Sequence, residues 1–191
     1  MRKYRLFISG VQKELKAERR AIKDYVLGDV LLAEYFDVFL FEDYPAKSKA
    51  AEKAYLEEVQ ASDIYIGLWG KKYGAAAATG MAPTEREFRE AKMTHKTILI
   101  YLKGPEDQPG REEDVRKLIG EIKDSRHGYS YKCFANTPDL TRQVYASLID
   151  FLKEQGIVGR GAFDGSVCPG AKISDIDEAK VTWFLERARE A

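Results

Sequence analysis

Cysteine and histidine are scarce in this sequence, with two of each in 191 residues. Cys133 and Cys168 lie far apart, without the short spacing of a zinc site or the cysteine density of a small disulfide-bonded secreted domain. His95 and His127 have no companion at the spacing of metal ligands. The sequence therefore predicts two free thiols in a reducing cytoplasm and no metal site.

Long apolar runs and a net charge are also missing. No stretch approaches the roughly 20 apolar residues that a membrane-spanning helix needs. The basic first residues run directly into a strand pattern, which argues against a signal peptide. The 31 basic and 31 acidic residues cancel, so no net field attracts the chain to nucleic acid or acidic lipid. We expect a cytoplasmic protein without membrane association or direct nucleic-acid binding by this segment.

The common phosphate-binding motifs are absent as well. The chain has no G-x-x-x-x-G-K-[ST] and no G-x-G-x-x-G after a strand, so it has neither a P-loop nor a dinucleotide fingerprint. Any ATPase activity would belong to another region. No cofactor is predicted, and NAD or another nucleotide is kept as a candidate ligand.

What the sequence does contain is a regular alternation of strand and helix patterns. Apolar residues make up 45% of the chain, enough for the core of one domain. Short apolar runs predict five strands at 4–9, 36–41, 64–70, 97–102 and 129–134. Because parallel strands must be joined by long connections, the alternation predicts a flavodoxin-like α/β fold with helices on both faces of a parallel sheet. The third strand is the most continuously apolar and the second and fifth the least, which predicts the order 2-1-3-4-5.

The first predicted helix has an apolar side that faces the core and a charged side that faces solvent. Apolar residues recur at intervals of four and seven and form one inward stripe, at Val11, Leu15, Ile22 and Val26. The charged residues among them are predicted to lie on the surface: Lys13, Glu14, Lys16, Glu18, Arg19 and Arg20.

The pattern changes after residue 155. The segment 156–170 contains five glycines and one proline, a composition typical of a linker. We predict an α/β domain at 1–155, a linker at 156–173, and at 174–191 the start of a connector helix leading to a further C-terminal region.

Several segments resemble an uncharacterised Toll/interleukin-receptor-like domain common in bacteria. The matching blocks occur in the same order over about residues 3–103: KYRLFIS at 3–9, VQKEL at 11–15, ERR at 18–20, SDIYIG at 62–67 and PTEREFREA at 83–91. The resemblance implies a domain of unknown function at the N-terminus of a multidomain regulator.

The tail is similar to a second group of proteins. The segments CPGA at 168–171 and ISDIDE at 173–178 resemble a connector in RecG-related regulators, which are ATP-dependent and DNA helicase-like. This implies that the chain is the N-terminal fragment of such a regulator, with an ATP-linked or DNA-linked C-terminal domain as its partner and self-association as a second expected interaction.

Glu87 is the candidate catalytic residue. Its position resembles that of the glutamate with which nucleoside deoxyribosyltransferases and Toll/interleukin-receptor-like NAD-cleaving enzymes act on an N-glycosidic bond. A carboxylate there would stabilise or attack the oxocarbenium-like sugar. Thr84-Glu85-Arg86-Glu87 also fits the S/T-x-x-E capping box, in which Glu87 bonds back to the Thr84 amide, and capping is the commoner role of that motif.

The other candidates lie in loops after strands, where doubly wound sheets bind ligands. Ser9 and the amides up to Gln12 open a helix and would receive a phosphate, or Ser9 would simply cap that helix. Glu42 would bind ribose hydroxyls or remain solvated, and Tyr73 would stack on a base. Thr84 and Glu85, beside Glu87 in the resembling block, complete the ligand-binding set.

Two functions follow from these patterns. The first is a sensing or assembly module that self-associates or binds a nucleotide-like ligand. The alternative is an NAD or nucleotide glycohydrolase, or a nucleoside deoxyribosyltransferase-like enzyme, with Glu87 as its key carboxylate. Direct DNA binding is disfavoured by the charge balance.

Overall fold

A computed structural model of the chain describes residues 2–43, 51–75, 80–126 and 128–158. The predictions for His127, Cys168, the linker beyond residue 158 and the connector helix at 174–191 fall outside the described residues. No helix in the described part is both long and apolar enough to cross a membrane.

The strands form one all-parallel, five-stranded sheet in the order β2-β1-β3-β4-β5, as predicted. Their bounds are β1 Tyr4–Ser9, β2 Phe36–Phe39, β3 Ile64–Trp69, β4 Thr97–Lys103 and β5 Tyr131–Phe134. All six residues of β3 are buried, as expected for a central strand covered on both faces. β2 is shorter than predicted because the chain turns at Phe41–Asp43 into one turn of 3-10 helix.

Among the described residues, six α-helices cover the two faces of the sheet, which confirms the predicted fold class. They are α1 Gln12–Gly28, α2 Val30–Tyr35, α3 Ala51–Ala61, α4 Pro83–Met93, α5 Glu113–Ile122 and α6 Thr137–Glu154. The apolar residues of α1, α2 and α6 pack in one core, and those of α3, α4 and α5 pack in the other. Each core is therefore closed by three helices.

α2 is an element that the hydrophobic pattern did not predict. It has six residues, too few for a helical period to be visible. The Asp29 side chain accepts hydrogen bonds from the amides of Leu31 and Leu32, at 3.0 and 2.9 Å, and so caps this helix. An aspartate before an apolar run was the one local signal for its start.

The chain stays in contact with the core just after the end of α6, and the predicted linker at 156–173 stays a prediction. Gly156 has a φ of +69° and turns the chain out of the helix, and the Ile157 amide bonds to the Leu152 carbonyl at 2.9 Å. Val158 is buried in the core on the α1 side. Residues 156–158 therefore pack against the domain.

Alternation along β1 and β3 determines which side chains reach the candidate site. Leu6, Ile64 and Ile66 point into the core beneath α1, whereas Phe7 and Tyr65 point into the core beneath α4. Ser9, two residues after Phe7, lies on the same α4 side at the carboxyl end of β1.

Candidate functional site

A hydrogen bond between Ser9 and Glu87 is the centre of the site. The Ser9 hydroxyl donates to Glu87 Oε2 at 2.5 Å. Ser9 is fully buried, and Glu87 keeps 9% of its surface exposed. α4 thus places one carboxyl group directly against the end of β1, at the edge of the sheet where ligands of this architecture bind.

Both capping interpretations are wrong. α4 begins at Pro83 with Ala82 as its N-cap, so Thr84 is already inside the helix, and Glu87 turns toward the sheet. Proline is favourable at the first helical position, which explains the earlier start. Likewise, the N-cap of α1 is Val11, which makes no side-chain cap, and the Ser9 hydroxyl is used for Glu87 instead.

An ion pair lies next to this hydrogen bond. The Arg19 guanidinium donates to both Glu42 oxygens, at 2.5 and 3.2 Å, and to the Gly10 carbonyl at 2.7 Å. Both charged side chains are less than 10% exposed. The pair joins α1 and the end of β1 to the turn after β2. We call Ser9, Arg19, Glu42 and Glu87 the Glu87 site.

The environment of Glu87 disfavours its charged form. Burial raises the pKa of Glu87 to about 7, and the nearby Glu42 carboxylate acts in the same direction. The hydrogen bond from Ser9 and the charge of Arg19 lower the pKa but do not offset the burial. At neutral pH the Glu87 carboxyl is therefore divided between its protonated and ionised forms.

β3 supplies two unused donors on the same side of the sheet. Gly67 pairs with Ser9 across the strands, and a Cβ added there would lie 3.0 Å from the Tyr65 ring and 3.2 Å from Trp69 Nε1. The Tyr65 hydroxyl lies next to the Ser9 hydroxyl, but the geometry between them is not that of a hydrogen bond. The buried Trp69 N–H group has no hydrogen-bond partner among the described residues. Burial raises the pKa of Tyr65 well above its usual value, and the charge of Glu87 adds to this.

The start of the loop after β3 is held by two carboxylates that the sequence did not single out. Glu14 accepts from the amides of Lys71 and Lys72, at 2.7 and 2.9 Å, and Glu112 accepts from the Tyr73 amide at 2.7 Å. These bonds tie α1 and the start of α5 to the carboxyl end of β3.

Of the other predicted site residues, Tyr73, Thr84 and Glu85 are buried, and Gln12 is exposed. Tyr73 is 8% exposed, and its hydroxyl bonds to Glu85, which also accepts from Arg89 at 2.7 Å. The structure therefore does not present the Tyr73 ring for stacking in this conformation. Thr84 is buried in the first turn of α4, and Gln12 is exposed at the start of α1. Of the predicted set, the structure brings Ser9, Glu42 and Glu87 together around Arg19.

Metal binding is not indicated by the described residues, since no group of three His, Cys, Asp or Glu side chains among them is arranged to hold an ion. Cys133 is a free thiol, and burial raises its pKa.

A comparison with known protein families shows the family to which this chain belongs. A family model described as a domain of unknown function (DUF4062) matches residues 5–149. The chain belongs to this family. The matched range includes all four residues of the Glu87 site, and the predicted domain of unknown function is confirmed. The relations to Toll/interleukin-receptor-like domains and to RecG-related regulators stay predictions.

No curated protein matches the sequence of this DUF4062 domain. Among solved structures, the CMP N-glycosidase BcmB of Clostridium botulinum is similar over 75% of this chain and 98% of its own, with 15% identity and a TM-score of 0.44. At that level of similarity, function has to be inferred from the geometry of the site itself.

Glu87 should make the stability of the domain pH-dependent. Its folded pKa of about 7 lies above the usual 4.5. The folded state therefore holds the extra proton, and stability is lost as pH rises from 4.5 through 7. The shift corresponds to about 3 kcal/mol of unfolding free energy.

Urea unfolding at pH 4.5 and pH 8 measures this effect. Between pH 4.5 and pH 8, wild type is expected to lose about 3 kcal/mol of unfolding free energy through Glu87. Glu87→Gln lacks this loss, so its stability relative to wild type should be about 3 kcal/mol higher at pH 8 than at pH 4.5. A difference that is the same at both pH values would show that Glu87 has an ordinary pKa.

Proposed function

We propose that the domain binds a nucleotide-like ligand at the carboxyl ends of β1 to β3 and cleaves its N-glycosidic bond, with Glu87 as the acting carboxylate. The observation that supports this most is a buried carboxyl, bonded to Ser9 and titrating near neutral pH, at the ligand-binding edge of the sheet.

The environment of Glu87 differs from that of a buried ion pair such as Glu42 with Arg19, in which a cation matches the charge of the carboxylate. Glu87 has a neutral hydroxyl as its hydrogen-bond donor, and its burial penalises the charged form. Such a residue lowers stability at neutral pH, which is the pattern expected where function determines the residue.

The chemistry proposed for Glu87 requires no second acid when the base is a pyridinium. The bond between the sugar C1′ and the base nitrogen breaks, and its electron pair leaves with the neutral base. The ionised Glu87 stabilises the oxocarbenium-like C1′ or forms an ester with it. Water then gives its hydroxyl to C1′ and releases a proton. With NAD, the products would be nicotinamide, ADP-ribose and a proton.

The neighbouring groups have proposed roles in binding. The amides that open α1, next to Ser9 and Gln12, would receive a phosphate. Glu42, fixed by Arg19, would accept a hydrogen bond from a ribose hydroxyl, and the unused donors of Tyr65 and Trp69 would bind acceptor atoms of the ligand.

Product release tests the proposal. The domain is incubated at high concentration with NAD and, separately, with a nucleoside monophosphate, and free nicotinamide or base is measured. We expect release from at least one of them. Binding without release, also after crosslinking has forced assembly, would contradict the enzyme proposal. That result would favour the sensing or assembly module of a larger regulator instead.

A further inference from the structure

A cavity outside the Glu87 site lies between the 104–110 loop and α5. Its volume is about 260 Å³. Three cations and one carboxylate are among its lining residues, which are Glu106, Arg111, Arg116, Ile119, Gly120 and Lys123. We call this cavity the α5 groove.

Arg111 contributes a buried positive charge to the groove wall. It is 4% exposed and donates to three carbonyl oxygens, those of Lys103 at 3.0 Å, Glu106 at 2.5 Å and Gly70 at 3.3 Å. None of these acceptors is charged. Burial lowers the pKa of Arg111, which reflects the free-energy cost of a cation without a hydrogen-bonded counter-ion. Three of the five guanidinium donors are used in these bonds.

Arg116 provides a second cation. Its side chain has no hydrogen-bond or ion-pair partner among the described residues, whereas the adjacent Lys117 pairs with Glu113 and Asp114 at 3.0 and 3.3 Å. Lys123 is the residue that follows the end of α5, about two turns beyond Arg116, and Glu106 neutralises it at 2.5 Å. The charge of Arg116 therefore stays without a matching carboxylate on the groove side of α5. On the neighbouring side of the helix, Glu113 and Asp114 balance the charge of Lys117.

Gly120 lies between these cations. It is exposed inside α5, has no positive φ, and an added Cβ would meet no atom within 4 Å. The fold therefore gives no reason for a glycine, which is unfavourable in a helix interior relative to alanine. Its effect is to leave the floor of the groove free of a side chain.

We propose that the α5 groove binds a small ligand through a phosphate or diphosphate group. Arginine presents a planar fork that matches phosphate oxygens. Arg116 and the unused donors of Arg111 would contact the anion, and Gly120 would let the phosphate group approach the helix. The volume is close to the lower limit for small-molecule sites, so it suits a diphosphate or the phosphate end of a larger ligand.

Calorimetric titration of the 191-residue chain with inorganic pyrophosphate at an ionic strength of about 0.15 M, where distant surface charges are screened, tests this. Arg116→Ala is expected to weaken binding at least about tenfold, as the loss of one charge-assisted contact typically does. Lys117→Ala removes the same charge one residue away and is expected to change the Kd less than about twofold. Equal weakening by both substitutions, or no pyrophosphate binding by wild type, would overturn the proposal.

A second substitution separates binding from folding. Gly120→Leu places a side chain on the groove floor in open space, so the thermal midpoint should stay the same or rise by a few degrees. Pyrophosphate binding should nevertheless weaken at least about tenfold, because the added side chain occupies the site. A stable Gly120→Leu variant that binds pyrophosphate as wild type does would show that the anion does not enter this groove.

Discussion

Replacing Glu87 by glutamine is expected to lower release of the base by about 100- to 1000-fold, the loss typical of removing one electrostatic stabiliser. The amide oxygen can still accept the Ser9 hydrogen bond, so the fold should be retained. What the change removes is the negative charge next to the sugar. The measurement is the initial rate of base or nicotinamide release with wild type and variant at equal concentration.

Glu90→Gln is the matched control for this substitution. Glu90 lies one turn further along α4, where it accepts a hydrogen bond from Gln60 at 2.7 Å, and its replacement should leave the rate unchanged. In wild type, kcat/KM should rise with pH through about 7, because the ionised Glu87 is the active form. Release that persists in Glu87→Gln would move the catalytic role to Glu85 or Glu42.

Replacing Arg19 by methionine is expected to lower the unfolding free energy by about 3 to 5 kcal/mol, as removal of one partner of a buried ion pair typically does. The change would leave Glu42 buried without its cation and the Gly10 carbonyl without a donor. It should also raise the pKa of Glu87 further, because the positive charge of Arg19 lowers it. Urea unfolding at pH 7 measures the loss of stability.

The adjacent ion pair supplies the control for Arg19. Arg20 pairs with Asp43 at 2.8 Å, but its side chain is 44% exposed, and Arg20→Met should cost much less unfolding free energy than Arg19→Met. A double variant, Arg19→Met with Glu42→Leu, should recover much of the stability, since no buried charge is then left alone. If Arg19→Met were no more destabilising than Arg20→Met, the Arg19–Glu42 pair would not be buried in solution.

The two carboxylates of the site have different hydrogen-bond partners. Glu42 receives two charge-assisted hydrogen bonds from Arg19, whereas Glu87 receives one from a neutral hydroxyl. Neighbouring acids in different environments are typical of sites where the acids have different roles. This favours binding for Glu42 and chemistry for Glu87.

The sheet could be predicted because burial determines its pattern. β3 is apolar at nearly every position because helices cover both of its faces. This uninterrupted apolar run is what predicted β3 as the central strand of the sheet. The short α2 could not be predicted from periodicity, and its cap, Asp29, was the one signal for it. The capping-box motif at Thr84 failed because a three-residue spacing does not show where a helix starts, whereas Pro83 marks the first turn.

The site was only partly predictable. The rule that loops after parallel strands meet at one edge selected Ser9 and Glu42, and the family resemblance selected Glu87; the structure brings these three side chains close together. Arg19 was assigned to the surface as one charge among many on an amphipathic helix. Its position, four residues after Leu15 and three before Ile22, places it on the buried stripe, and that spacing was the signal for its burial. Which carboxylate it pairs with depends on tertiary contacts that no local pattern encodes.

A crystal structure of Glu87→Gln with bound NAD or a nucleoside monophosphate is the most direct test of the central claim. The substitution should leave the ligand intact and the Ser9 hydrogen bond in place. We predict that the sugar C1′ lies within about 3.5 Å of the side chain at position 87, the separation from which reaction becomes possible. A nucleotide bound with its sugar away from position 87, or no nucleotide bound at saturating concentration, would contradict the claim that this carboxyl acts on a glycosidic bond.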